Sequence, residues 1–181
     1  MPRLFTGLEI PAEIGEKLAQ NRGGLPSARW VDPANYHITL RFIGDVDGGM
    51  ARDLTGVLAE SRARAPIAVT LDALATFGGS RPRAIFAHAL PTAELGALQS
   101  EQERLIRRAG LPPETRKFTP HVTLARMRDA HPGDVAAYIA ARGQFPKLTF
   151  TADRFVLFSA RDSVGGGPYV VEAAYPFSDP A

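Results

Sequence analysis

The alternation of apolar and polar residues divides the chain into stretches of strand and helix period. In RLFTGLEI (3–10), Leu4, Thr6, Leu8 and Ile10 share one face and Phe5 takes the other, the period of a strand. Pro11 suits a first helical position, and 12–21 predict a short helix closed by Gly23-Gly24. SARWV (27–31) reads as a brief extended segment before an Asp32-Pro33 turn, and HITLRFIG (37–44) as a strand ended by Gly44. Residues 49–64 predict a helix with Leu54, Val57 and Leu58 towards the core.

The second part follows a similar plan. IAVTLDALATF (67–77) and PRAIFAHAL (82–90) predict two strands paired as a hairpin around GGSRP. Residues 92–109 carry the clearest helical period, with Thr92 as cap, Leu95, Leu98, Leu105 and Ile106 as the apolar stripe, and Gly110 and Pro112 as the stop. HVTLARM (121–127) predicts a strand and 133–142 a helix. LTFTADRFVLFSA (148–160) and GPYVVEAAYPF (167–177) are expected as two long closing strands across a Gly-rich turn at 165–167. The order predicts an α+β fold of two related lobes within one domain spanning 1–181, each a mostly antiparallel sheet with helices on one face. No linker or low-complexity tract divides the chain.

Composition narrows the class. The 181 residues are 45% apolar with a mean hydropathy of −0.09, values of a packed soluble chain and not a disordered one. Cysteine is absent, which removes disulfides, thiol nucleophiles and thiolate metal sites and fits a reducing compartment. The opening MPRLFTGLEIP is too short and interrupted for a signal peptide, and no run approaches a membrane span, so a cytoplasmic protein without a membrane partner is expected. Net charge is +2, and lysine occurs only at 17, 117 and 147. This Arg-dominated balance leans towards anionic ligands without the density of a nucleic-acid coat.

The chemistry concentrates in a repeat. Of four histidines, two open the tetrads His37-Ile-Thr39-Leu and His121-Val-Thr123-Leu, 84 positions apart (121 − 37). Residues two apart on a strand face the same way, so His37 and Thr39 share one side, as do His121 and Thr123, while the intervening apolar residues face the helices. If the lobes are related by a pseudo-twofold axis, both polar faces line one groove. Two imidazoles form an acid/base pair near neutral pH, and two hydroxyls donate to phosphoryl oxygens, a set suited to phosphate diester chemistry with no metal required. Zinc is an alternative use of histidines, but each tetrad offers a single ligand and no third His or carboxylate stands nearby in sequence. His88 and His131 stand in no tetrad and are expected to be structural or exposed.

Cations and rings complete the candidate set. Arg41 shares the parity of His37 and is expected to face the groove; Arg126 has the opposite parity to His121 and would need a bulge or twist to reach it. Arg83 is expected at the mouth. Phe5, Trp30, Phe42 and Phe77 could stack a base, with the core as their more ordinary place.

These features resemble the two-histidine (2H) phosphoesterases, and among them the bacterial and archaeal RNA 2′,3′-cyclic phosphodiesterases, also called 2′-5′ RNA ligases. The likeness runs through RLFTGLEIP, ARWVDPANYHITLRFIGDV, LATFGGSRPRAIFA, LQSEQERLIRRAGLPPETRKFTPHVTLAR and DRFVLFSA, nearly the whole chain. It implies a bilobal 2H phosphoesterase fold, two pseudo-symmetric antiparallel sheets with helices outside and a central cleft. It also implies a metal-independent opening of a 2′,3′-cyclic phosphate at RNA 3′ ends to leave a 2′-phosphate. Small cyclic nucleotides are a further candidate substrate, no cofactor is expected, and a monomer is expected. On that resemblance His37 is the proton donor, His121 the proton acceptor, and Thr39, Thr123 and Arg126 hold the phosphate, with Arg41 as a further candidate. Residue types alone leave the acid and base roles interchangeable. They also leave open the reverse reaction, joining RNA ends through a 2′-5′ bond, and a nucleotide-binding module without catalysis. One departure is FSARDSVGGGPY, where Ala160 stands in place of a second Ser, expected to touch strand-end packing or a substrate edge.

Overall fold

The computed structural model describes residues 3–160 and 168–178. Its strands are β1 (Arg3–Glu9), β2 (Ala28–Trp30), β3 (His37–Asp45), β4 (Ile67–Phe77), β5 (Ala84–Ala89), β6 (His121–Met127), β7 (Leu148–Ala152), β8 (Arg154–Ala160) and β9 (Tyr169–Pro176). The helices are α1 (Ala12–Ala19), α2 (Gly48–Leu58), α3 (Ala93–Arg108) and α4 (Pro132–Ala141). The strands run in the order β7-β4-β5-β6-β3-β1-β8-β9, with β2 against β6, and every ladder among the described residues is antiparallel. Between β6 and β3 the ladder narrows to one register pair, Ile38 with Val122, which divides the array into two sheets. Both residues are fully buried, so the joint is apolar.

The α+β architecture with two antiparallel sheets is as expected, but the sheets do not follow the two halves of the chain. β2 leaves the first half to pair with β6, setting Trp30 beside Ala125. The expected long strand 148–160 breaks at Asp153, so that β7 pairs with β4 in one sheet and β8 with β1 in the other. The two pieces differ in burial. β7 alternates buried and exposed residues like an edge, whereas β8 is buried on both faces between β1 and β9. α3 lies against α2 and β3, so a helix of the second half covers the sheet of the first. The expected turn at 165–167 lies outside the described residues. Ala160 is buried at the end of β8 between Arg3 and Tyr169, a packing position.

Two helix ends depart from expectation. Pro11 is the N-cap of α1, one place before the first helical residue. α2 stops at Leu58, because the buried carboxylate of Glu101 on α3 takes the Arg62 backbone N–H at 3.1 Å and the Arg64 guanidinium at 2.5 Å, holding that segment out of the helix. α3 follows its sequence signals closely, with the Thr92 hydroxyl accepting from Leu95 N–H.

Candidate active site

Both histidines are positioned by what precedes them. Asp32 caps a single 3₁₀ turn at Pro33–Asn35 by accepting from Ala34 N–H at 2.9 Å. The turn presents the Asn35 carbonyl, which accepts from His37 Nδ1–H at 2.8 Å. In the second tetrad, Pro120 favours extended backbone at Thr119, and the Thr119 carbonyl accepts from His121 Nδ1–H at 2.6 Å. Asn35 and Thr119 each stand two residues before their histidine, so the repeat extends to the groups that fix the rings. A neutral ring with its proton on Nδ1 carries its lone pair on Nε2. His37 Nε2 meets the Thr39 hydroxyl at 3.0 Å, and His121 Nε2 has no hydrogen-bond partner among the described residues.

Register brings the tetrads together. Antiparallel pairing through Ile38 and Val122 sets His37 across from Thr123 and Thr39 across from His121. All four are half-buried, while Ile38, Leu40, Val122 and Leu124 are buried on the helix side. Thr39, His121 and Thr123 line a cleft of about 820 Å³, and His37 adjoins it through Thr39. Aromatic rings wall each imidazole: Phe5 at 4.9 Å, Tyr169 at 5.1 Å and Phe158 at 5.6 Å from His37, and Phe77 at 4.8 Å and Phe86 at 5.1 Å from His121.

This enclosure acts on protonation. Burial pushes the His37 imidazole down to about 4, against the Asn35 carbonyl, which favours its charged form; Arg126 and His121 lower it further. Burial also lowers His121, opposed by the Thr119 carbonyl and assisted by His88 and Arg126. Loss of solvation disfavours the imidazolium, and nearby positive charge adds to the effect.

The expected parity of the two arginines is reversed by a matched pair of β-bulges. In β3 the register to β1 jumps from Arg41 to Thr39, leaving Leu40 unpaired. In β6 the register to β5 jumps from Ala125 to Thr123, leaving Leu124 unpaired. Each extra residue flips everything after it to the other face. Arg41, expected in the groove, is therefore turned inward at 6% exposure. It donates to Glu103 at 2.5 Å and to the carbonyls of Phe42 and Pro112 at 2.5 and 2.6 Å. Arg126 turns outward and lines the cleft. At the position equivalent to Arg126, the first tetrad brings out Phe42, which is 41% exposed in the cleft.

Other expected residues divide. Arg83 and Phe77 line the cleft, Phe5 sits under His37, and Trp30 packs on Tyr138 of α4 at 5.8 Å. His131 caps α4, accepting from Gly133 N–H. His88 donates to Asp72 at 2.7 Å and is the cross-strand partner of His121. Sequence reasoning missed the 114–118 segment, where Arg116, Lys117 and Phe118 line the cleft. Glu103 fixes that segment by accepting from Glu114 N–H at 2.9 Å while it holds Arg41, and Arg116 holds the Glu114 carboxyl down to about 2. The cue available was the basic run Arg116-Lys117 shortly before a tetrad. Among the described residues, no three His, Asp or Glu side chains cluster to hold a metal ion, and no helix is long and apolar enough to cross a membrane.

Residues 14–163 match the family described as the 2′-5′ RNA ligase superfamily. The chain belongs to this superfamily. It is 32% identical over 162 residues to the RNA 2′,3′-cyclic phosphodiesterase of Bacillus subtilis, a match covering 87% of each chain. The Aeropyrum pernix protein of the same name is 38% identical over 109 residues, 59% of this chain and 61% of its own. Among solved structures, Escherichia coli LigT complexed with 3′-AMP superposes with a TM-score of 0.77 at 24% identity, over 99% of this chain and 100% of LigT. TT0787 of Thermus thermophilus gives 0.79 at 23% identity over 98% of each. The fold implied by the resemblance is thereby established, and the 2H phosphoesterase resemblance is borne out.

Proposed function

We propose that this 2′-5′ RNA ligase superfamily member hydrolyses 2′,3′-cyclic phosphates at RNA 3′ ends or on small cyclic nucleotides, leaving a 2′-phosphate. The observation that carries this reading is the cross-strand square of His37, Thr123, Thr39 and His121, each imidazole tethered at Nδ1 by a backbone carbonyl. The tether leaves Nε2 of each ring as the proton-exchanging atom.

In this reading His121 Nε2 takes a proton from water as the water oxygen bonds to phosphorus. The P–O3′ bond breaks, and His37 Nε2 gives its proton to the leaving 3′ oxygen. The net change is the addition of one water across P–O3′. Thr39 and Thr123 hydroxyls and the Arg126 guanidinium receive the phosphoryl oxygens as negative charge builds there. Arg41, engaged by Glu103 and two carbonyls, shapes the wall instead of binding phosphate. The order of donor and acceptor follows the family resemblance. An entering anion opposes the burial and the cationic neighbours that keep His37 unprotonated, which brings it towards the protonated form it needs as donor.

No step uses a metal or a cofactor. The same site run backwards joins a 5′-OH end to a cyclic phosphate, but water at roughly 55 M favours hydrolysis unless strands are pre-aligned. The test is incubation of an oligoribonucleotide ending in a 2′,3′-cyclic phosphate, with and without EDTA. A 2′-phosphate product at equal rates supports the reading. A 3′-phosphate product, an intact substrate, or activity lost to EDTA and restored by zinc refutes it.

A further inference from the structure

The two catalytic candidates are related by the repeat, but their outer neighbours differ. The antiparallel register continues from His121 to His88 on β5, which pairs with it directly and faces the same side. A bulge in β4 leaves Asp72 out of the ladder between Leu71 and Ala73, and its carboxylate accepts from His88 Nδ1–H at 2.7 Å. Asp72, His88, His121 and Thr39 thus form one polar row across four strands. On the other side of the joint, the strand neighbour of His37 is Glu9 of β1. Its carboxylate is clasped by Arg154 of β8 at 2.7 and 3.0 Å. An arginine–carboxylate pair flanks His37, and an imidazole–carboxylate pair flanks His121.

We propose that His88, held by Asp72, is a positioning residue for His121 whose charge, one strand away, keeps the His121 ring in the neutral form that accepts a proton. The Asp72 bond fixes the ring with its proton on Nδ1, so a proton taken up at Nε2 makes His88 cationic beside His121. His88 is half-exposed, bonded to Asp72, and stands on the far side of His121 from Thr39 and His37, so it acts through His121 and not on substrate. The charged groups beside His88 or sharing the cleft with His121 are Asp72 from β4, Arg83 just before β5, Arg126 from β6, and Arg116, Lys117 and Glu114 from the segment before β6, with His37 across the joint on β3. Of these, His88 leads Arg126 among the charges that lower His121. The inference rests on the proposed function only for the word acceptor; the electrostatic coupling stands without it.

The test is NMR titration of the imidazole signals in the full chain, which needs no turnover and so fails or succeeds independently of the phosphodiesterase reading. In His88→Gln, which removes the charge, the His121 midpoint is expected to rise by roughly half to one pH unit, while His37 stays in place. In His88→Lys, which keeps a positive charge, the His121 midpoint is expected to remain near that of the unaltered chain. With turnover as readout, His88→Gln should lower kcat/KM several-fold at pH 5 and leave it unchanged at pH 8, with Lys restoring the acid-side rate. A His121 midpoint unmoved by Gln, or moved alike by Gln and Lys, overturns the proposal.

Discussion

Ile38 and Val122 form the one register pair joining β3 to β6 among the described residues, and they fix which polar groups meet. Sliding one strand past the other by one residue would turn its tetrad towards the helices and away from the other, because side chains alternate at every step of a strand. The square of His37, Thr39, His121 and Thr123 is therefore as secure as the apolar joint beneath it.

The first prediction concerns that square. His37→Ala and His121→Ala should each lower kcat on a 2′,3′-cyclic phosphate substrate by about a hundred- to ten-thousand-fold, the range for loss of one positioned acid or base. The double variant should be little worse than either single one, because the two groups serve one transition state and their losses do not add. Steady-state rates of all three variants check this. Independent, multiplying losses would mean that the rings serve separate steps.

The second prediction is the pH profile. The proposed mechanism needs His37 charged and His121 neutral. His37 stands at about 4, and His121 lies below its ordinary value near 6.5. The correctly protonated form is therefore most populated between about pH 4 and the His121 midpoint, and kcat/KM, which reports free protein, should fall about tenfold per pH unit above it. A bound phosphate anion favours both imidazolium forms, so the kcat profile should sit at higher pH than that of kcat/KM. Rates at saturating and limiting substrate from pH 4 to 9 check the order; superimposable profiles would contradict it.

Much of the site is legible in the sequence, for a simple reason. Period-2 alternation states which side His37, Thr39, His121 and Thr123 occupy, and the repeat states that the two sides are equivalent. Alternation cannot see a bulge, since an unpaired Leu40 or Leu124 leaves no mark in a run of apolar residues. That is why Arg41 and Arg126 exchanged places against expectation. The strand break at Asp153 was hidden in the same way, because five residues before it and seven after it read as one apolar run. Which sheet each piece joins is decided by long-range pairing, and local pattern does not carry that.

The bulges give the third prediction. Arg126→Gln should lower kcat/KM on cyclic phosphate substrates while leaving the folding midpoint in urea nearly unchanged, because Arg126 is exposed in the cleft. Arg41→Leu should do the opposite first. It strips a largely buried Glu103 of its cation and two carbonyls of their donor, costing about 3 kcal/mol or more of stability. Activity should fall only as the 114–118 segment, which Glu103 also holds, loosens. Urea unfolding and kinetics on both variants separate the two roles.

The last prediction concerns Gly7, which faces Thr39 on β3 and Val156 on β8. A Cβ there would stand 2.7 Å from the Ile38 carbonyl oxygen and 3.2 Å from the Phe158 ring, and the oxygen is backbone that cannot rotate away. Gly7→Ala must therefore move β1 off β3 just under the His37–Thr39 hydrogen bond. It should destabilise the fold by about 1–3 kcal/mol, the usual cost of overpacking, and lower kcat through misplacement of His37. Gly56 supplies the contrast. It lies inside α2 with nothing within 4 Å of an added Cβ, so Gly56→Ala should stabilise by about 0.5–1 kcal/mol from helix propensity and leave kcat unchanged. Urea midpoints moving in opposite directions, with kcat falling only for Gly7→Ala, are the expected result; a tolerated Gly7→Ala would mean that the sheet beneath His37 yields without cost.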